Sequence, residues 1–200
     1  QALLYPLTFP FLPPVNKVEK DHKYAAGRLI GTLVAPPPQG IPKTGQTVSY
    51  RDGDDGDLEK GYPVTPPWLV DNEDGTITDK ATGLMWVKDP INNPGAPFAG
   101  ITNWYNAIDR CNTLVFATYD DWRLPNKKEL LSIVDFGRFN MAIDPIFPNC
   151  GTYYWLSTTR ADITSNAWRI YFHTGQTLSF LKGNATGTYA RPVRLGVPAD

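Results

Sequence analysis

The strongest constraint on this chain is its punctuation, since nineteen prolines and seventeen glycines are spread through its 200 residues. A proline inside a helix removes a hydrogen bond and clashes with the preceding turn, and both residue types favour turns. The pattern therefore describes short strands joined by many turns rather than a helical bundle. Six tryptophans and ten tyrosines are enough to fill a core and leave some aromatics for a surface. A chain of this length suffices for one domain with a full core, plus an arm or a small second element.

Between those breaks, one stretch organises the rest: D-D-W-R-L-P-N-K-K-E-L-L-S-I-V-D, residues 120–135. Trp122, Leu124 and Pro125 make an extended apolar approach, and Pro125 disfavours helical geometry at Leu124. Asn126 is a good N-cap with Glu129 three residues on, a variant of the capping box. Leu130, Leu131, Ile133 and Val134 then supply one face of a helix. Arg123 lies between two apolar anchors. If buried, it requires a carboxylate or several carbonyls, because an unpaired buried charge is prohibitively costly.

The formal net charge is -1 and the pI near 6.1. Neither suggests a nucleic-acid or anionic-membrane partner. No apolar run approaches the roughly 18 residues of a membrane span. Gln1 stands where an initiator Met is absent, which suggests a removed secretory signal. Cys111 and Cys150 fit a single disulfide in an oxidising compartment, with two buried thiols as the alternative.

Residues 1–15 are nearly all apolar and carry prolines at 6, 10, 13 and 14. Leu3, Tyr5, Leu7, Phe9 and Phe11 alternate with other residues, a period of two that suits an extended arm or edge strand. Such a strip needs cover, either on its own domain or by strand addition to a neighbouring subunit. Residues 27–35 read as a strand, and Pro36 to Pro38 begin a stiff linker. That divides the chain into an arm and linker over 1–43 and a domain over 44–200.

Within the domain, T-G-Q-T-V-S-Y at 44–50 is echoed by T-G-Q-T-L-S-F at 174–180, which suggests a Thr-Gly turn followed by an alternating strand in both places. Asp52, Asp54, Asp55 and Asp57 are candidate calcium ligands. The register of an EF-hand fails there, since Arg51 would take its first position, and turn chemistry is the preferred account. Asp74-Gly75 signals a hairpin, Asn103 to Leu114 has helical spacing, and residues 189–195 form a closing strand with Pro192 at an edge or bulge. No Walker loop, dinucleotide fingerprint, His-Glu-x-x-His or Cys-x-x-Cys occurs, and neither His22 nor His173 has an obvious nucleophile beside it. The expectation is a protein without enzymatic activity or cofactor.

The set T-G-L-M-W (82–86), D-W-R-L-P-N-K-K-E-L (121–130), Y-W-L-S-T-T (154–159), A-W-R-I-Y-F (167–172) and R-P-V-R (191–194) resembles a bacterial domain of unknown function. That family forms the C-terminal domain of a collagen-like adhesin, and the resemblance covers residues 44–196. It implies an α+β, C-type lectin-like fold: two helices against a twisted, mostly antiparallel sheet system with first and last strands paired. It further implies that Trp86, Trp122, Leu124, Trp155 and Trp168 are core. Arg123, Arg191 and Arg194 would be ion pairs or carbonyl clamps, with Glu129 and Asp135 the nearest partners. Ligand contact would fall in the loops 157–166 and 181–188, at residues such as Arg160, Asn166 and Asn184. The calcium-dependent sugar-binding triplets of true lectins are absent. The function so implied is a secreted or cell-surface adhesion module for a glycan or protein ligand. The alternative is a structural subunit of a self-assembling filament, with the arm of one copy completing the next.

Overall fold

The computed structural model describes residues 41–93, 102–185 and 187–196. The apolar strip Leu3, Tyr5, Leu7, Phe9 and Phe11, the expected strand at 27–35 and His22 lie outside the described residues.

Among the described residues, eight strands and three helices make an α+β arrangement. In chain order they are α1 (Asp55–Leu58), β1 (Leu69–Asp71), β2 (Thr76–Asp79), β3 (Leu84–Val87), α2 (Trp104–Asn112), α3 (Lys127–Leu131), β4 (Tyr153–Thr159), β5 (Asn166–Tyr171), β6 (Gln176–Leu181), β7 (Thr188–Tyr189) and β8 (Val193–Leu195). They form two four-stranded sheets, ordered β1-β2-β3-β8 and β6-β5-β4-β7. Pairing is antiparallel except for β7, which runs parallel to β4. Among the described residues, the closing strand pairs with β3, while β1 forms the outer edge and does not pair with it.

Local chemistry explains most boundaries. Gly75 adopts φ +91 and the Asp74 carboxylate accepts from the Thr76 N–H, closing the β1–β2 hairpin. Asn103 caps α2 through the Asn106 N–H. Asn126 caps α3 and Glu129 reaches back to the Asn126 N–H, completing the capping box. The helix after that box is shorter than the apolar spacing suggests. Ser132 turns its hydroxyl onto the Glu129 carbonyl at 2.7 Å, and Ile133 and Val134 are buried beyond the helix end.

Residues 189–195 do not form one strand. Tyr189 ends β7 in one sheet, Val193 begins β8 in the other, and Ala190, Arg191 and Pro192 cross between them. Pro192 still uses its carbonyl, accepting from the Val87 N–H. Arg191, fully buried, fastens the crossing. It donates to the carbonyls of Val87 (2.8 Å), Lys88 and Pro148 (3.2 Å).

The other two structural arginines pair with carboxylates. Arg123 grips Glu129 bidentately at 2.7 and 2.6 Å, as the sequence suggested. Arg194 takes Asp121 at 2.5 and 3.2 Å instead of Asp135. The Asp135 carboxylate accepts from the Gly137 N–H in its own turn.

Apolar residues gather in two clusters. One contains Trp86, Leu130, Ile133, Tyr154, Ile170 and Phe172; the other contains Met85, Cys111, Leu114, Trp122, Leu124 and Trp155. Neighbours such as Met85 and Trp86, or Tyr154 and Trp155, fall in different clusters, as alternate strand residues must when a sheet is covered on both faces. Trp168 departs from its expected place. It is only partly buried and carries the Lys127 ammonium 3.5 Å above its ring.

The expected disulfide is absent. Cys111 and Cys150 are both free and buried. Cys111 is on the inner side of α2 within the second cluster, whereas Cys150 belongs to the first, so their thiols serve separate cores. The case for an oxidising compartment therefore draws nothing from the cysteines.

The two Thr-Gly sequences also differ. Residues 174–180 give a turn and β6, but residues 44–50 form no strand. What they share is a neighbour. A side chain on Gly45 would overlap Asp135, and one on Gly175 would come within 3.0 Å of Val134 and Phe136. Both glycines therefore abut the segment that follows α3, which is tied to the first by bonds from Phe136 N–H and Gly137 N–H to the Thr44 carbonyl.

Candidate recognition face

Alternation along β5 sends Ala167, Arg169 and Tyr171 to one face of its sheet. Ala167 and the neighbouring Trp155 are fully buried, whereas Arg169, Tyr171 and Tyr153 are partly buried. Their rings and the guanidinium stack in a continuous row. The Arg169 guanidinium carbon lies 3.8 Å from the Phe180 ring centre on one side and 3.9 Å from that of Tyr153 on the other. Tyr153 stacks on its cross-strand partner Tyr171 at 4.5 Å and 23°. Tyr171 stacks on His173 at 5.4 Å, and His173 meets the edge of Phe139 at 6.1 Å. Phe139 is 85% exposed, which makes it the open end of the row.

The row carries positive charge without a counter-charge. Among the described residues, no carboxylate forms an ion pair with Arg169. Its Nη1 donates to the Thr188 hydroxyl at 2.9 Å, and its buried Nε has no partner. Burial pushes its pKa down, yet a guanidinium remains a cation at neutral pH. Chemically, the row offers the edges of stacked rings, one cation with an unused donor among them, and the exposed ring of Phe139 at its open end. An exposed ring of that kind suits a sugar ring, a proline or another planar group.

Beyond Phe139, a cavity of about 320 Å³ is lined by Arg138, Met141, Ile143, Phe147, Asn149 and Cys150 among others. Cys150 is not placed as a nucleophile. Its thiol donates to the Phe147 carbonyl, and burial pushes its pKa up against the opposing Arg191 guanidinium 3.1 Å away. His173 lies between the rings of Tyr171 and Phe139.

The residues singled out from sequence lie elsewhere. Arg160 spends its donors on Asp162, bidentately at 2.7 Å, and on Ser179 at 2.9 Å. Asn166 opens β5, where its carbonyl accepts from the Arg160 N–H. Asn184 turns the chain after β6 through its N–H to the Leu181 carbonyl. The four aspartates act in turns. Asp54 caps α1 and accepts from Tyr50 N–H, which with the other N–H groups pulls its pKa down; Asp55 accepts from the Thr44 hydroxyl and Asp57 from the Gly53 N–H. Asp52 is exposed. Among the described residues, no three His, Cys, Asp or Glu side chains are arranged to hold a metal ion.

Sequence reading missed the row because its members come from three strands and two loops. The hairpin at Thr174-Gly175 would have aligned Arg169 with Leu178 and Tyr171 with Gln176. Placing Tyr153 beside them requires the register of β4, which no short turn fixes.

The family model described as the Lcl C-terminal domain matches residues 75–194. A search of curated proteins returns no match to this chain.

Proposed function

We propose that this chain, which belongs to the Lcl C-terminal domain family, is a non-enzymatic recognition module on a C-type lectin-like scaffold, acting in secreted form or at the cell surface. The observation that carries the reading is the row from Phe180 through Arg169, Tyr153, Tyr171 and His173 to Phe139. Stacked rings have already lost much of their freedom, so a ligand seated along their edges and against the exposed Phe139 ring costs little ordering. The apolar face of a sugar ring matches the Phe139 ring, and the Arg169 cation adds selection for an electron-rich or anionic group. A glycan is therefore the favoured ligand, with a protein segment as the competitor. The ligand-binding function moves from the loops around Arg160 and Asn184 to this face.

The test is titration of the intact chain against a glycan panel by calorimetry. Tyr171→Ala removes the central ring and is expected to weaken binding by roughly ten-fold, about 1–2 kcal/mol. Arg160→Ala, outside the row, should change it little. If Tyr171→Ala binds as the parent does while Arg160→Ala does not, the loop assignment stands and the row is wrong.

A second, compatible reading is a structural subunit of a self-assembling extracellular filament. The observation favouring it is the edge of β6, which no strand covers among the described residues.

A further inference from the structure

Strand β6, Q-T-L-S-F-L, is a six-residue edge with no proline, no charge and no buried residue. Edges of that kind are normally blunted, because a row of unpaired N–H and C=O groups templates further pairing. The other edges of the two sheets are blunted. β1 and β8 have three residues each and carry Asp71 and Arg194, while β7 has two. β6 instead exposes Leu178 and Leu181, 38% and 51% accessible. Among the described residues, its backbone contacts beyond β5 amount to the turn bond from Asn184 N–H to the Leu181 carbonyl.

We infer that the β6 edge is an acceptor for residues 3–11 of a second copy of this chain, which add to it as one further strand. This rests on the assembly reading. What identifies the occupant is the parity of its prolines. Successive residues of a strand direct their N–H and C=O groups to opposite edges. Pro6 and Pro10 share one parity with Leu4 and Thr8, so their missing donors fall on the side facing away from β6. Leu3, Tyr5, Leu7, Phe9 and Phe11 keep every N–H and C=O for the acceptor. Pro13 is the first proline of the pairing parity, and it ends the strand there. The same odd residues are the large apolar ones. Because the outer edge of the added strand lacks donors at 6 and 10, the pairing stops at one strand per acceptor. Growth passes from copy to copy, as a head-to-tail contact requires.

The test is a proline scan in the full chain, read by sedimentation. The intact chain associates as its concentration rises. Leu7→Pro, which removes a donor facing β6, raises the concentration needed by roughly ten-fold or more. Thr8→Pro, at the tolerant parity, leaves association in place, and Leu7→Ala, which keeps the N–H, weakens it less than Leu7→Pro. Leu178→Lys blocks the acceptor on an exposed position, and circular dichroism checks that its fold is retained. Mixing Leu7→Pro with Leu178→Lys restores a one-to-one complex, since each supplies what the other lacks. An intact chain that remains monomeric throughout overturns both the inference and the assembly reading. An intact chain that associates while Leu7→Pro and Thr8→Pro behave alike overturns the inference alone.

Discussion

Glu129 does two things with one carboxylate. It accepts both guanidinium bonds of Arg123 and the N–H of Asn126, so removing its charge disturbs an ion pair and a helix cap together. Burial alone would raise its pKa, but the Arg123 hydrogen bonds, the Asn126 N–H and the guanidinium charge together hold it below the usual carboxylate range. A carboxylate depressed in the folded state stabilises above its unfolded pKa, and that stabilisation fades as pH falls through the folded value. Glu129→Gln is therefore expected to cost about 1–2 kcal/mol at pH 7 in urea unfolding, a figure kept low because Arg123 is partly solvated. The gap between variant and parent should narrow towards pH 3. A gap unchanged with pH would assign the cost to packing. Asp135 shows the opposite case: burial raises its pKa, and the Gly137 N–H and the Arg138 charge only partly offset that.

At the scale of elements, the turn between α3 and β4 is governed by close backbone approach. A side chain added to Gly137 would overlap the Gly45 carbonyl, which is backbone and cannot swing aside. Gly183, by contrast, has open space around it. Gly137→Ala should lower stability by about 2–3 kcal/mol in thermal or urea unfolding, and Gly183→Ala should be close to neutral. Much of the element map was legible beforehand. Asp74-Gly75 and Thr174-Gly175 announced their hairpins, Asn126 announced the start of α3, and the apolar spacing from Asn103 to Leu114 announced α2, because these signals act over a few residues. Partnerships across long separations were not legible. Nothing near Arg194 indicated Asp121 over Asp135, and the alternation of residues 189–195 could not reveal that the strand changes sheets. Both choices are made by tertiary packing, which local pattern does not encode.

For the molecule as a whole, the two cysteines are a test of what holds it together. Each thiol is buried and raised in pKa by desolvation, Cys111 with nothing opposing it and Cys150 against Arg191. Thiol titration is expected to find no fast-reacting group in the native chain and two after denaturation, and a reductant should leave the melting temperature unchanged. A melting temperature that falls with reductant would restore the cross-link. Without one, the two apolar clusters hold the domain together with the polar crossing at Arg191, whose donors join the end of β3 to the loop before β4.

That crossing also sets how the domain would bear a pull. Tension applied beyond Gly196 meets the ladder of β8 on β3 first, a zipper of Val193, Arg194 and Leu195 against Trp86, Met85 and Leu84. Only after those rungs part does the load reach the buried guanidinium, which then acts as a latch before β7 and the second sheet can be peeled. Pulled in this way, the domain would yield in two steps, with the ladder of β8 on β3 spent before the second sheet is loaded.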